Sequence, residues 1–364
     1  MEFLLTNDLS LSLSFFGATL LCLALLKIAV ITGKKIGLVD RPNERKKHKG
    51  EIPLVGGICI FITFLVMQNF HPASTALIIA CSILLLVGII DDYHNLTPKS
   101  RLLFQGMAAS VLVIGGGFQI LTVGNLFFNS VVLLTGMVSI VFTIICIIGV
   151  VNAINMIDGA DCLAGGIVAV SIVALLIVSG SQAEFNTALI SSLVFLLGAI
   201  LAFLIFNSGV LGTGHKVFLG DSGSMFLGAI LATYFILMSQ GENAQISPVT
   251  AGWFFGLPLI DSVSVMVRRL SNGKSPLRAG RDHLHHRLVD NGMSSSRCVV
   301  TMLISHAVIV TIGLVGHQLQ FSDAVMFWSF ITLVFGHHFV SPMLNAYIPM
   351  ILTGNSTDGH SVKR

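Results

Sequence analysis

Long apolar runs separated by short polar segments recur along the whole chain. Eleven are readable, at 10–31, 54–70, 74–90, 102–118, 131–151, 163–180, 187–206, 224–240, 248–267, 298–316 and 322–341. At about 1.5 Å per residue such runs are long enough to cross about 30 Å of hydrocarbon, so each predicts a transmembrane helix. The runs at 54–70 and 74–90 lie close together, with His71-Pro72 as the turn between them. The pattern predicts an all-α, polytopic membrane helical bundle of about 11 transmembrane helices (10–11). It forms a single domain over 1–364 with a short polar C-terminal tail at about 352–364.

Composition agrees with that class. Of 364 residues, 54% are hydrophobic and 10% charged, where a soluble globular chain runs near one quarter charged. The first run carries no basic segment before it, and Lys27, Lys34 and Lys35 follow it instead. It therefore reads as an uncleaved span with its N-terminus outside, not as a signal peptide.

Charge then fixes the orientation. Eleven spans threaded from an outside N-terminus put 32–53, 91–101, 152–162, 207–223, 268–297 and 342–364 on one side, and these segments hold 19 of the 20 Lys and Arg. The twentieth, Lys27, can snorkel to the same side. By the positive-inside rule that side is cytoplasmic, and the N-terminus is periplasmic. The formal net charge of +3 reflects topology and anionic headgroups, and no nucleic acid is expected as a partner. Cys22, Cys59, Cys81, Cys146 and Cys298 sit in or at the ends of spans and Cys162 ends a loop. With no CxxC spacing they read as small buried apolar residues, not as disulfides or a metal site.

The polar chemistry lies in the inner segments. Asp91-Asp92, in GIIDDYHNLTPKSR, follows the third run. Adjacent carboxylates at a membrane boundary keep their charge only beside cations, and a hard divalent ion such as Mg²⁺ is one answer. A solvated helix end with an acidic pair is the other. In VVNAINMIDGADCLAGG, Asn152, Asn155, Asp158 and Asp161 recur every three residues, which lines one helix face with amides and carboxylates. In HKVFLGDSGSMFLG, Asp221 lies between Gly220 and Gly223, with Ser222 and Ser224 able to cap the helix that follows. A carboxylate among glycines at a helix N-terminus suits a metal bridging to phosphate oxygens. The basic segment RRLSNGKSPLRAGRDHLHHRL places His283, His285 and His286 among Arg281 and Arg287. No Cys lies near and the arginines repel a cation, so hydrogen bonding to phosphate or sugar is favoured over zinc.

These strings together resemble the polyprenyl-phosphate N-acetylhexosamine-1-phosphate transferase family, which also contains the muramoyl-pentapeptide transferases of peptidoglycan synthesis. The matching stretches are GLVDRPNERKKHKGEIPLVGG, Asp91-Asp92, NAINMIDGADCL, KVFLGDSGS, ISPVTAGWFFGLPLIDSVSVMVRRL and RDHLHHRL, in order over almost the full length. The resemblance is strongest to the undecaprenyl-phosphate N-acetylglucosaminyl branch. Its HxHH histidines fit that branch and not the muramoyl one. One departure is Cys162, where the family pattern has a glycine.

The resemblance implies a fold of ten or eleven helices with its active-site cleft on the cytoplasmic face of a bacterial inner membrane. The implied reaction is UDP-N-acetylglucosamine plus undecaprenyl phosphate giving undecaprenyl-pyrophosphoryl-N-acetylglucosamine and UMP, initiating lipid-linked polysaccharide synthesis such as that of O-antigen lipopolysaccharide. Carried over by motif, Asp221 is the expected Mg²⁺ ligand (Mn²⁺ substituting), with Asp91 and Asp92 at the lipid-phosphate side as catalytic or metal-side groups. Phe218 is expected to stack on uracil, with Asn155, Asp158 and Asp161 around the nucleotide and Asn207 near the phosphates. Arg281, His283, His285 and His286 are expected at the sugar phosphate, with Arg268 a further substrate-binding residue and Lys49 a further nucleotide candidate. Other UDP-N-acetylhexosamine donors, a homodimer, and a double displacement through Asp91 or Asp92 in place of direct attack stay open.

A secondary transporter is the rival class, but transporters place ionisable groups near the midplane. Here Asp261 is the one acidic residue well inside a run, and its spacing of seven from Arg268 predicts that it orients that arginine or packs the helix bundle.

Overall fold

The computed structural model describes residues 2–42, 50–67, 72–128, 130–180, 187–275, 280 and 282–353. The candidate residues Lys49 and Arg281 lie outside the described residues. The described chain is helical almost throughout: α1 (Glu2–Ile36), α2 (Gly56–Met67), α3 (Pro72–His94), α4 (Pro98–Ser110, continued by a π-helical turn, Val111–Gly115), α5 (Gly136–Ile157), α6 (Leu163–Ser179), α7 (Thr187–Asn207), α8 (Gly220–Ser239), α9 (Pro248–Phe254), α10 (Gly256–Ser271), α11 (Leu284–Asp290), α12 (Ser295–Gln318) and α13 (Asp323–Thr353). The one sheet among the described residues pairs β1 (Val39–Asp40) with β2 (Ile52–Pro53), antiparallel, with Val39 opposite Pro53.

Six of these helices, α1, α3, α5, α7, α8 and α12, are long and apolar enough to cross a bilayer alone. The bent pair α9 and α10 can make a seventh. Helices α2 and α6, of 12 and 17 residues, rise only about 18 and 25 Å at 1.5 Å per residue, short of the hydrocarbon core. Among the described residues, span-capable helices are thus fewer than apolar runs. Outward faces are apolar, with Leu20, Ile28 and Ile31 of α1 and Met137, Val138 and Ile145 of α5 all exposed. On a water-soluble protein such faces would be an aggregation liability, whereas here they suit lipid.

Helix α8 is the central post, with nearly its whole length enclosed. It is flanked by α2, α3 and α5, and glycines set the spacing. A Cβ on Gly88 of α3 would stand 2.2 Å from Ser222 Cα, and one on Gly57 of α2 would stand 2.2 Å from Gly223 Cα. Backbone therefore meets backbone, and no other residue fits.

The apolar run 248–267 is not one rod. Ser247 caps α9, accepting from Thr250 N at 3.1 Å, and Pro248 takes the first turn, where its missing N–H costs nothing. The chain then turns through 87° between α9 and α10. The break frees the Phe254 carbonyl, which accepts from Ser171 Oγ of α6 at 2.8 Å, while His306 Nε2 of α12 lies 3.2 Å from that hydroxyl. A carbonyl loosened inside a bundle needs such a donor.

Candidate active site

The C-terminal ends of α3, α5 and α7 meet the N-terminal ends of α8 and α6 at one end of the bundle. Three of the four sequence motifs converge there, and the fourth touches them.

Asp92 ends α3 beside the start of α8. Its Oδ1 accepts from Asp221 N at 2.9 Å and its Oδ2 from Ser222 N at 3.4 Å. It thus caps another helix and supplies negative charge to the positive end of the central dipole. Gly220, with φ of +77°, makes the turn into α8, and a Cβ there would stand 2.6 Å from Asp92 Oδ2. Asp91 is buried; its Oδ1 accepts from Leu96 N at 2.6 Å and its Oδ2 lies 2.6 Å from Arg101 Nε. Arg101 was not singled out from the sequence, although a local signal existed. Asn95, at φ of +51°, and Thr97, which caps α4 before Pro98, reverse the chain so that Arg101 faces back on Asp91.

Asp221 sits in the first turn of α8 with its side chain 30% exposed, so its carboxylate is within reach of solvent. Asn155 of α5 donates from Nδ2 to Asp221 Oδ1 at 2.5 Å and to Ser224 Oγ at 2.9 Å, and Arg101 Nη1 lies 3.8 Å from Asp221 Oδ2. Asp158, just past α5, has its carboxyl pushed well above the usual range by burial, then by the charges of Asp221, Asp92 and Asp161. Four carboxylates therefore crowd one site and Arg101 offsets only part of the charge. Hard oxygen donors that are partly open to solvent suit a Mg²⁺ that keeps several waters. Asp221 is open to solvent, whereas Asp91 is fully enclosed and held by Leu96 N and Arg101, and Asp92 accepts from the start of α8. Among the described residues no three His, Cys, Asp or Glu side chains form a closed metal cage.

The second acidic motif faces the loop leading into α8. Asp161 pairs with Lys216 at 2.5 Å, and Lys216 Nζ stands 5.3 Å from the centre of the Phe218 ring. Lys216 is a second residue the sequence reading passed over. Phe218 is half-buried, with its backbone threaded between strand and helix: its N–H donates to Pro53 O at 2.9 Å and its carbonyl accepts from Gly56 N at 2.9 Å. Asn207 is buried, with both amide atoms engaged. Its Oδ1 accepts from Cys162 N at 2.5 Å and its Nδ2 donates to Val217 O at 2.8 Å. It clamps two site loops together.

Cys162 occupies the left-handed region, φ of +65°, immediately before α6. That conformation explains why a glycine is expected there. Burial and the neighbouring Asp161 push its thiol up to about 11, with Lys216 pulling the other way, so it stays protonated.

The histidine segment docks from the side. Asp261 of α10 gives one oxygen to His283 Nδ1 at 2.9 Å and the other to Leu284 N at 3.0 Å, capping α11. The expectation that Asp261 orients Arg268 is corrected: a helical spacing of seven puts two residues on one face, yet a buried carboxylate takes the donors aimed at it, and these come from α11. With Nδ1 held, His283 has Nε2 for other chemistry. Arg269 holds Asp282 through 2.5 Å and 2.8 Å contacts. Burial pushes the Asp282 carboxyl up, but this pairing outweighs it and holds the group below the usual range. His285 is buried against the acidic motif, since a Cβ on Gly159 would stand 2.5 Å from its Nε2. His286 lies with its ring centre 4.0 Å from that of His285. Arg268 is half-buried, its Nε and Nη2 without hydrogen-bond partners among the described residues.

A family model described as glycosyl transferase family 4 matches residues 74–239, a stretch running from α3 to the end of α8 and containing Asp91, Asp92, Asn155, Asp158, Asp161, Asn207, Phe218 and Asp221. The chain is 33% identical over 334 residues to an undecaprenyl-phosphate alpha-N-acetylglucosaminyl 1-phosphate transferase of Escherichia coli K12, covering 91% of this chain and 88% of the relative. Proteins of the same description from Yersinia pestis and Pasteurella multocida are 33% and 34% identical, covering 86% and 90% of this chain and 87% and 91% of theirs.

Proposed function

The chain belongs to glycosyl transferase family 4, and on that premise we propose that it transfers N-acetylglucosamine 1-phosphate from UDP-N-acetylglucosamine to undecaprenyl phosphate, releasing UMP. The product, undecaprenyl-pyrophosphoryl-N-acetylglucosamine, primes a lipid-linked cell-envelope polysaccharide. The reading rests above all on one observation. Asp221, reachable at the N-terminus of the central helix, is ringed by Asn155, Arg101 and the acids at 91, 92 and 158.

Phosphoryl transfer asks the protein to position groups and neutralise charge. Asp221 would hold Mg²⁺, which supplies charge neutralisation to the donor diphosphate when bound. The acceptor phosphate is already anionic near neutral pH, its second pKa lying near 6, so a base adds little. An acceptor oxygen attacks the donor β-phosphorus while the bond to the UMP oxygen breaks. Asp91 and Asp92 both accept hydrogen bonds from backbone amides, which blunts a carboxylate as a nucleophile and favours direct attack over an aspartyl-phosphate. The exposed flank of Phe218 and the Asp161–Lys216 pair form the nucleotide wall, and His283, His285 and His286 face the sugar phosphate.

The inner-side clustering of 19 of 20 Lys and Arg supports a cytoplasmic active site in a multi-pass bacterial inner-membrane protein with a periplasmic N-terminus. On this reading the eleven crossings are the seven span-capable segments together with α2, α6, α4 with its π-helical turn, and α13.

Purified protein with undecaprenyl phosphate, radiolabelled UDP-N-acetylglucosamine and Mg²⁺ should yield labelled lipid and UMP. Asp221→Asn should abolish turnover while the chain still inserts. Full activity in excess EDTA would overturn the metal assignment, and no labelled lipid from UDP-N-acetylglucosamine would overturn the donor.

A further inference from the structure

A cavity of about 770 Å³ lies between α1, the inner end of α7 and the loop at 208–219. It is separate from the acidic centre and no step of the transfer uses it. Its lining has two characters. Val30, Ile31, Phe206 and Leu211 make apolar walls, while Lys27, Lys34, Lys35 and His215 stand among them.

The cationic side chains follow from helix geometry. Positions 27, 30, 31, 34 and 35 fall at i, i+3, i+4, i+7 and i+8, one face of α1. Lys27 and Lys34 are seven residues apart, about 10 Å along the axis. Lys34 and Lys35 occupy the last turn of α1, whose end Tyr93 ties down by donating to Ile36 O at 3.1 Å. Lys27 therefore sits a full two turns deeper, at a depth where a cation is costly unless matched or snorkelled.

Among the described residues none of Lys27, Lys34, Lys35 or His215 forms an ion pair with an acidic side chain; Lys34 makes one hydrogen bond, to Gly214 O at 3.3 Å. Elsewhere at this end of the protein Arg101, Lys216 and Arg269 all have acidic partners. The cavity thus concentrates three positive charges, unpaired among the described residues, over an apolar wall that opens at Ile31, beside the exposed Ile28.

An inorganic anion would satisfy the lysines and leave the apolar walls wet. An apolar ligand would leave Lys27, Lys34 and Lys35 without a counter-charge. We infer that this cavity binds an anionic phospholipid, its headgroup phosphate between Lys27, Lys34 and Lys35 and its acyl chains along Val30, Ile31, Phe206 and Leu211. Each lysine within reach of an anionic headgroup strengthens binding roughly fivefold.

The test is native mass spectrometry of the purified full chain with dioleoylphosphatidylglycerol against dioleoylphosphatidylcholine, which needs no transferase activity. Wild-type protein should retain one phosphatidylglycerol per chain at energies that strip phosphatidylcholine. Lys34→Gln with Lys35→Gln should lower that occupancy roughly tenfold or more, while Lys274→Gln, in a different basic segment, should not. Leu211→Trp, which fills the cavity without changing charge, should also lower occupancy and guards against a folding defect in the lysine variant. Equal retention of the two lipids, undiminished retention in both cavity variants, displacement by 10 mM inorganic phosphate (roughly a saturating amount for a free-anion site), or displacement by equimolar undecaprenyl phosphate would each overturn the assignment.

Discussion

At the level of single residues, the site contains positions whose local cost is visible. Cys162 holds a left-handed backbone that favours glycine. Cys162→Gly should therefore stabilise the protein by about 0.5–1 kcal/mol, read as a small upward shift in thermal melting with activity retained. A fall in Tm would mean the thiol contacts outweigh the strain. Asn207 works in the opposite sense, since its single amide satisfies Cys162 N and Val217 O together. Asn207→Ala should leave both backbone groups unmatched and cost roughly 2–4 kcal/mol, seen as lower Tm and a raised donor KM. If only kcat fell, with Tm unchanged, the residue would be touching phosphate after all. Asp158 carries a pH signature. Its folded pKa is raised above the ordinary value, so the folded state binds more protons and stability is lost as pH rises from about 4 through the folded pKa. In metal-free protein Asp158→Asn should then melt about 2–4 °C higher than wild type near pH 8, a gain that disappears near pH 4. A pH-independent difference would refute that origin.

Among elements, α8 and its glycine contacts decide the architecture. Gly88→Ala would push a methyl into the Ser222 backbone, forcing α3 off α8 at about 3 kcal/mol and dragging Asp91 and Asp92 out of register with Asp221. Expression and activity should fall together; near-normal turnover would show that the helices can part without harm. The helices themselves were legible, because apolar length is a strong signal and DD, NAINMIDGAD and GDSGS all fell at helix ends. What the sequence could not carry was partner choice. Asp92 reads as half of an acidic pair, yet it caps a helix 129 positions on. Asp261 reads as a partner to Arg268, yet its donors arrive from α11 after an intervening segment. Arg101 and Lys216 went unremarked for the same reason: a lone cation in a loop announces no partner until the fold brings a carboxylate beside it. The break at Phe255 was equally hidden, since an apolar run reads the same whether its helix is straight or bent by 87°.

For the whole molecule, one end of the bundle is acidic at its centre and basic around it. Such a centre is self-repelling until a cation arrives. Adding millimolar Mg²⁺ should raise the Tm of wild-type protein, and the rise should be lost in Asp221→Asn. An equal rise in that variant would place the ion elsewhere.

The enclosure of α8 also bears on the order in which the chain is made. Helices α2, α3 and α5 leave the ribosome before residue 220 does, so the notches at Gly57 and Gly88 exist before the helix that fills them. Until Gly220–Ser239 enters, those notches face one another or lipid, and the bundle has a socket without a post. A chain halted short of that point would lack the post on which α2, α3 and α5 close.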